Sequence, residues 1–307
     1  ISALATSLLQ CFWVRWKPAL MFNWVRAKAL FRFGWKIFCS ALLDSAYNEL
    51  YTILIGKLFN LKTLSFYQQG RAVPAQGMSL VNSTVISVML PAFSTLQNDR
   101  EQMRILAQKS LKITAFLLIP FMGILLITAH PLVMILFTAK WEPCVIFLQL
   151  SCIISLFWPL HALNLQIITA CGRSDVFLIL EIIKKVQGII LILLTYRFGV
   201  LTMVCGLAVI TPVVFIENSF YNGKLISYHW YKQLHDLLPY AAACAIAGGI
   251  GAWCMTAIDG NWGKLITGAA VMGIVYLAIN TIFKLIPEDI YMLLKKIFTA
   301  LRSSHAR

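Results

Sequence analysis

Apolar positions in this chain come in long runs separated by short polar stretches. A helix needs about 20 residues to cross a hydrocarbon core about 30 Å thick, and eight runs approach that length. They cover approximately 37–56, 76–96, 113–136, 144–170, 176–196, 199–217, 237–257 and 263–285, and each predicts a transmembrane helix. A ninth run, Ile1–Val14, stops at Arg15 after about two thirds of a crossing, and the chain opens on Ile rather than Met. The expectation is a piece of a longer chain with one partial span. The basic residues follow this run instead of preceding it, so it does not read as a signal peptide.

Composition places these helices in lipid. Of 307 residues, 60% are hydrophobic and 12% charged, against about 45–50% and 25% in soluble domains. The expected class is an all-α, polytopic membrane protein with eight full transmembrane helices plus one partial. Net charge is +14, from 26 Lys and Arg against 12 Asp and Glu. The basic residues sit between the apolar runs, the distribution that fixes topology and meets anionic head groups, which argues against nucleic acid and for membrane lipids as partners. Segments 15–36, 97–112, 171–185, 222–236 and 284–307 hold 20 of the 26; the other six are Lys57, Lys62, Arg71, Lys140, Arg197 and Lys264. By the positive-inside rule the first group is cytoplasmic, and so is the C-terminus.

Two basic, amphipathic segments are expected at the cytoplasmic interface, 24–36 with Trp24, Phe31, Phe33 and Trp35, and the tail after Pro287. Asn98, with Glu101 three residues on, has the spacing of a helix cap. Glu217 and Asn218 read as the interfacial stop of the sixth run, and 57–75 as the longest outside loop.

An ionised carboxylate at a helix centre in lipid costs roughly 2.5–3.5 kcal/mol on insertion scales, so Asp44 needs an explanation. Asp44, Tyr47, Asn48 and Tyr51 fall at i, i+3, i+4 and i+7 on one helical face, while Glu49 points away. This stripe is either the wall of a water-accessible cavity or a polar cluster sealed between helices. Ser79, Asn82, Ser83 and Ser87 repeat the spacing in the next run, as ligand contacts or as small residues that let helices approach. His161, Asn164 and Gln166 follow Trp158-Pro159; Glu181, Lys184 and Lys185 occupy the fifth run, where the lysines either snorkel or attract a phosphate-bearing lipid. Pro91, Pro120, Pro159 and Pro212 lie within spans and permit kinks. The eight cysteines form no CxxC pair and read as small core residues, the five histidines lack ligand spacing, and no HExxH, GxSxG or P-loop occurs. No metal, cofactor or enzymatic activity is expected.

The succession Phe33-Gly34-Trp35-Lys36, LIGKLFNLKTLSFYQQGRAVP (54–74), LPAFSTLQNDREQMR (90–104), PLVMILFTAKWEP (131–143) and GRSDVFLILEIIKK (172–185) resembles bacterial polysaccharide flippases. These are the O-antigen, colanic acid and teichuronic acid type exporters of the multidrug/oligosaccharidyl-lipid/polysaccharide superfamily. The chain departs from them at Leu64-Ser65-Phe66-Tyr67, where the family tends to have a glycine before the aromatic pair.

The resemblance implies a two-lobe exporter. Residues 1–14 would end the last helix of the first lobe, 15–36 would be a basic cytoplasmic linker, and 37–221 the six-helix second lobe. Residues 222–286 would add two C-terminal transmembrane helices and 287–307 a cytoplasmic amphipathic tail. The implied partners are an undecaprenyl-diphosphate-linked glycan, the missing N-terminal lobe and the polysaccharide polymerase machinery. The implied location is the bacterial inner membrane. Lys57 and Arg71 would be cations at the periplasmic mouth and Lys184 one on the cytoplasmic side, with Asp44, Tyr47, Asn48, Tyr51 and Asn82 along the sugar path. The drive would be the membrane potential, or protons or sodium through a carboxylate such as Asp44. Multidrug extrusion within the same superfamily, and a membrane polymerase or ligase acting on the same lipid-linked sugar, stand as alternatives.

Overall fold

The computed structural model describes residues 22–287, together with Thr6 and Ile290. The Ile1–Val14 span apart from Thr6, and the tail after Pro287 apart from Ile290, lie outside the described residues. Nine α-helices follow one another in the described part: α1 (Trp24–Leu58), α2 (Leu61–Thr95), α3 (Arg100–Ile127), α4 (Ala129–Phe137), α5 (Cys144–Ala170), α6 (Ser174–Thr195), α7 (Val200–Ile226), α8 (Trp230–Thr256) and α9 (Asn261–Ile282). Five of them, α3, α5, α7, α8 and α9, are long and apolar enough to cross a membrane. The expected spans 37–56, 76–96 and 176–196 fall in α1, α2 and α6.

Several boundaries differ from expectation. Residues 24–36 are not a separate interfacial helix but the first third of α1, which runs unbroken for 35 residues from an Asn23 cap accepting from the Val25 and Arg26 amides. Basic side chains forbid the bilayer centre; they do not end a helix, and no Pro interrupts α1. The expected outside loop 57–75 shrinks to a break at Phe59–Asn60. Asn60 accepts from the Thr63 amide at 2.7 Å and opens α2, so Leu64-Ser65-Phe66-Tyr67 is helical rather than a turn. The run 113–136 divides at Thr128, because Pro131 has no N–H to give the Ile127 carbonyl. The cap before α3 is Asp99, not Asn98; its carboxylate accepts from the Glu101 and Gln102 amides. Glu217 and Asn218 do not stop the sixth run, since α7 continues to Ile226. Pro91, Pro120, Pro159 and Pro212 all lie inside helices.

Helix α5 is the hub, packed against α2, α3 and α7, while α8 and α9 form a hairpin laid on α3, and α1 pairs with α6. Gly70 lets α2 and α5 approach: a Cβ there would come within 2.7 Å of Phe147 Cβ and 2.8 Å of the Leu148 amide nitrogen. One apolar core joins α3, α5, α8 and α9 through Leu111, Phe116, Leu163, Ile167, Tyr240 and Tyr276. A second joins α1, α2, α5, α6 and α7 through Ile55, Tyr67, Phe147, Ile192 and Met203. Of the seven described cysteines, Cys144 and Cys152 are buried as expected of small core residues, and the other five are half-buried.

Large apolar side chains are exposed as well as buried. Val209, Trp253, Ile274 and Leu194 are two-thirds or more exposed, which water does not tolerate over a whole surface and lipid does. Within α7 the usual order is inverted: Val209, Val213, Ile216 and Phe220 face outward while Asn218, Ser219 and Asn222 are fully buried. Those buried groups form a neutral network with α5 and α8. Asn164 Nδ2 donates to Ser219 Oγ at 3.2 Å and Gln233 Oε1 at 3.0 Å; Ser219 Oγ donates to the same Gln233 oxygen at 3.1 Å. Asn222 Nδ2 donates to the Asn164 backbone carbonyl at 3.1 Å, and Asn218 Nδ2 contacts His161 Nδ1 at 3.2 Å. Amides buried in helices must find partners in one another, and here they clamp three helices together.

Candidate substrate cavity

The polar stripe of α1 faces α6, and its ionic partner comes from there. Lys185 Nζ donates to Asp44 Oδ1, its ammonium standing 4.9 Å from the centre of the Tyr47 ring. Lys185 is also 3.8 Å from Glu181 Oε2, and Lys184 pairs with the other oxygen of Glu181. The result is a chain of alternating charge, Asp44, Lys185, Glu181, Lys184, across the α1–α6 seam. Gly188 makes room for Tyr47, whose hydroxyl a Cβ would overlap. On the other side of Asp44, Asn48 Nδ2 donates to Asp44 Oδ2 at 3.3 Å while its Oδ1 accepts from an Arg71 terminal nitrogen at 3.2 Å. Asn48 thus couples the carboxylate on α1 to the guanidinium on α2.

Two cavities meet at this seam. The first, about 460 Å³, is lined by Ser40, Asp44, Tyr47, Trp158, His161, Gln166, Glu181, Lys184 and Lys185 among others. The second, about 500 Å³, is lined by Asp44, Tyr47, Asn48, Tyr67, Arg71, Ser79, Ser151, Ser155 and Trp158 among others. Asp44, Tyr47, Ile154, Trp158 and Leu207 belong to both walls, so the ion pair stands at their boundary. Gln166, in the first cavity, has a buried Oε1 with no partner among the described residues. Toward the start of α1, Lys28, Arg32 and Lys36, one helical turn apart, line a further cleft of about 800 Å³ together with Arg173 and Asp175.

The expected site residues therefore divide. Asp44, Tyr47, Asn48, Arg71 and Lys184 are brought together. Lys57 lies in the last turn of α1 and lines neither cavity. Tyr51 and Asn82 are helical in α1 and α2, with side chains outside the described positions. Lys185, Tyr67, Trp158, Ser151 and Ser155 complete the walls without having been singled out as site residues. Lys185 carried a local signal, four residues from Glu181 on the same face, but nothing local to pair it with Asp44, 141 residues away.

Chemically, the walls offer three cations against two carboxylates, amide and hydroxyl hydrogen-bonding groups, and the rings of Tyr47, Tyr67 and Trp158. That set suits an anion attached to something polar and ring-shaped. Among the described residues no group of three His, Cys, Asp or Glu side chains could hold a metal ion.

The chain is similar to several known proteins. Residues 1–146 match the family described as "Polysaccharide biosynthesis protein". The chain is 22% identical over 161 residues to the lipopolysaccharide biosynthesis protein WzxC of Escherichia coli strain K12, covering 52% of this chain and 33% of that protein. It is 26% identical over 161 residues to the succinoglycan biosynthesis transport protein ExoT of Rhizobium meliloti strain 1021, covering 52% of this chain and 30% of that one. With the teichuronic acid biosynthesis protein TuaB of Bacillus subtilis strain 168 it shares 23% identity over 241 residues, 77% of this chain and 50% of the relative. In fold it is similar to the lipid II flippase MurJ in an inward closed conformation, with a TM-score of 0.63 over 86% of this chain and 56% of that one at 16% identity.

The chain is similar to proteins named for polysaccharide biosynthesis and transport. It spans only 30–50% of the length of these curated relatives. Among the described residues the fold is helical, with five helices long and apolar enough to cross a membrane, as expected of such an exporter, and it is similar to that of a solved flippase.

Proposed function

We propose that this chain forms the second lobe of an alternating-access transporter that carries a polyprenyl-diphosphate-linked oligosaccharide, built on undecaprenyl, from the cytoplasmic to the periplasmic leaflet of a bacterial inner membrane. The observation that carries this reading is the pair of cavities meeting at the Asp44–Lys185 contact. Arg71 on one side and Lys184 with Lys185 on the other supply cations for a diphosphate, and the aromatic, amide and hydroxyl groups between them suit sugars. Lys185 is largely covered but Asp44 is about half exposed. A pair of this kind is worth no more than about 1 kcal/mol in a wet site, so an arriving phosphate can take Lys185 from Asp44 without a large penalty. The freed carboxylate would then repel the anion onward to Arg71, or take up a proton or sodium. An inside-negative potential favours outward movement of an uncompensated anion by about 2.3 kcal/mol per charge per 100 mV.

The three-to-two excess of cations over carboxylates favours this cargo over the amphipathic cations of a multidrug extruder. Two of the similar proteins are named for transport or flipping rather than for a reaction, which favours transport over a polymerase or ligase. The first lobe, the orientation with a cytoplasmic C-terminus and contact with polymerase machinery belong to the same proposal.

The test is export of surface polysaccharide by the full-length transporter in a flippase-deficient host. Arg71→Lys keeps the charge but loses the two-pronged guanidinium, so partial export is expected, with near loss for Arg71→Ala and reduced export for Asp44→Asn at normal membrane levels. Normal export by both Arg71→Ala and Asp44→Asn would overturn the site.

A further inference from the structure

A second polar pocket lies away from the cavities, at the end of the molecule where α3 and α8 begin and α9 ends. It encloses about 490 Å³ and is lined by Lys109 and Lys112 of α3, His235 and Asp236 of α8, and Lys284 just past α9. The single carboxylate is already committed. Asp236 accepts from the Tyr228 hydroxyl at 2.8 Å and from Gln108 Nε2 at 3.4 Å, and pairs with Lys112 at 3.1 Å. No carboxylate of the described residues pairs with Lys109 or Lys284. The acids that follow in sequence, Glu288 and Asp289, lie outside the described residues.

The pocket is built, not incidental. Lys284 occupies the left-handed position after a helix, φ 53°, while the Leu285 amide returns to the Asn280 carbonyl at 2.8 Å. Glycine is the usual residue there because a side chain costs about 1 kcal/mol in that conformation. Buried Tyr240 donates to the Leu285 carbonyl at 2.9 Å, pinning the segment that carries the lysine. A cation is thus held at a backbone position that disfavours it. Just beside it, Ile282 and Phe283 expose about 70% of their surface, as does Leu238 about 60% of its own. Cations bordered by bare apolar side chains at the end of two lipid-exposed helices match an amphiphile with a phosphate at its boundary.

We propose that this pocket binds the phosphate of an anionic phospholipid, with the acyl chains lying along α8 and α9. The charge count assigns this end of the helices to the cytoplasmic leaflet, where anionic lipids meet juxtamembrane lysines. The site is independent of the transport cavity.

The test is native mass spectrometry of the purified protein titrated with phosphatidylglycerol and with phosphatidylcholine of the same acyl chains. Wild type should prefer phosphatidylglycerol. Lys109→Ala and Lys284→Gly should each cut that preference about fivefold, and Lys109→Arg should keep it. Lys284→Gly is the decisive variant because it relieves the backbone while deleting the charge, so its folding should be at least as stable as wild type. An unchanged preference in the Lys109→Ala/Lys284→Gly double variant would overturn the proposal, as would a wild type with no preference. Glycerol phosphate or inorganic phosphate binding as tightly as the lipid would overturn the lipid as the source of the anion.

Discussion

Two polar regions interrupt the apolar helices, and they are built on opposite terms. Around Asp44 the groups are acidic and basic in alternation and line open cavities. Around Asn164 they are neutral amides and a hydroxyl, sealed between α5, α7 and α8. The difference follows from solvation. A neutral amide buried dry loses little once its hydrogen bonds are made, whereas an ion pair buried dry loses more hydration than its attraction returns. Charges therefore stay where water or a ligand can reach them, and amides can serve as fasteners.

That contrast can be broken most forcefully at Lys185. Lys185→Glu would bring a third carboxylate beside Asp44 and Glu181, and export should fall roughly tenfold or more at normal protein levels. The exchanged pair Asp44→Lys/Lys185→Glu should recover part of it if the contact is a gate, and none if Lys185 must hold the phosphate itself; export counts and membrane levels separate the two. In the sealed network, Asn164→Leu removes the side-chain hydrogen bonds to Ser219, Gln233 and Asn222. It should lower stability by about 1–2 kcal/mol, read as thermal melting in detergent, with export per surviving molecule unchanged. A drop in export without a drop in melting temperature would reverse the assignment of the two regions.

A smaller effect is expected at Asn48, the link between Asp44 and Arg71. Asn48→Ala should reduce export about two- to fivefold, the loss of the two hydrogen bonds that join Asp44 to Arg71, and leave melting untouched. The smallest belongs to the surface pair Arg173–Asp175, where the hydrogen bond from Arg173 holds the Asp175 carboxyl below its usual range. A lowered carboxyl stabilises above its unfolded pKa and loses that contribution as pH falls through the folded value. In so exposed a pair, Asp175→Asn should melt within about 1 °C of wild type at pH 7 and converge with it on acidification.

Much of this was readable from the chain. Apolar runs placed the helices, and the i, i+3, i+4 spacing put Asp44, Tyr47 and Asn48 on one face that proved to be a cavity wall. Local patterns could not reveal what depends on distant segments. Lys185 and Asp44 are neighbours only because α6 packs on α1. Asn218 looked like an interfacial stop because its partner, His161, lies 57 residues earlier. The continuity of α1 was hidden for a different reason: hydropathy reports where lipid ends, and backbone hydrogen bonding does not end with it.

That continuity has a mechanical consequence. At 35 residues α1 is about 52 Å long, well beyond the hydrocarbon core. Its basic third and its Asp44 face are parts of one stiff rod. Trp24 lies about 30 Å along the helix from Asp44, so a rocking of roughly 10° about the ion pair sweeps that end through about 5 Å. In such a rocking Lys28, Arg32 and Lys36 would ride on α1 while Arg173, just before α6, would not, so the cleft they line together would change width.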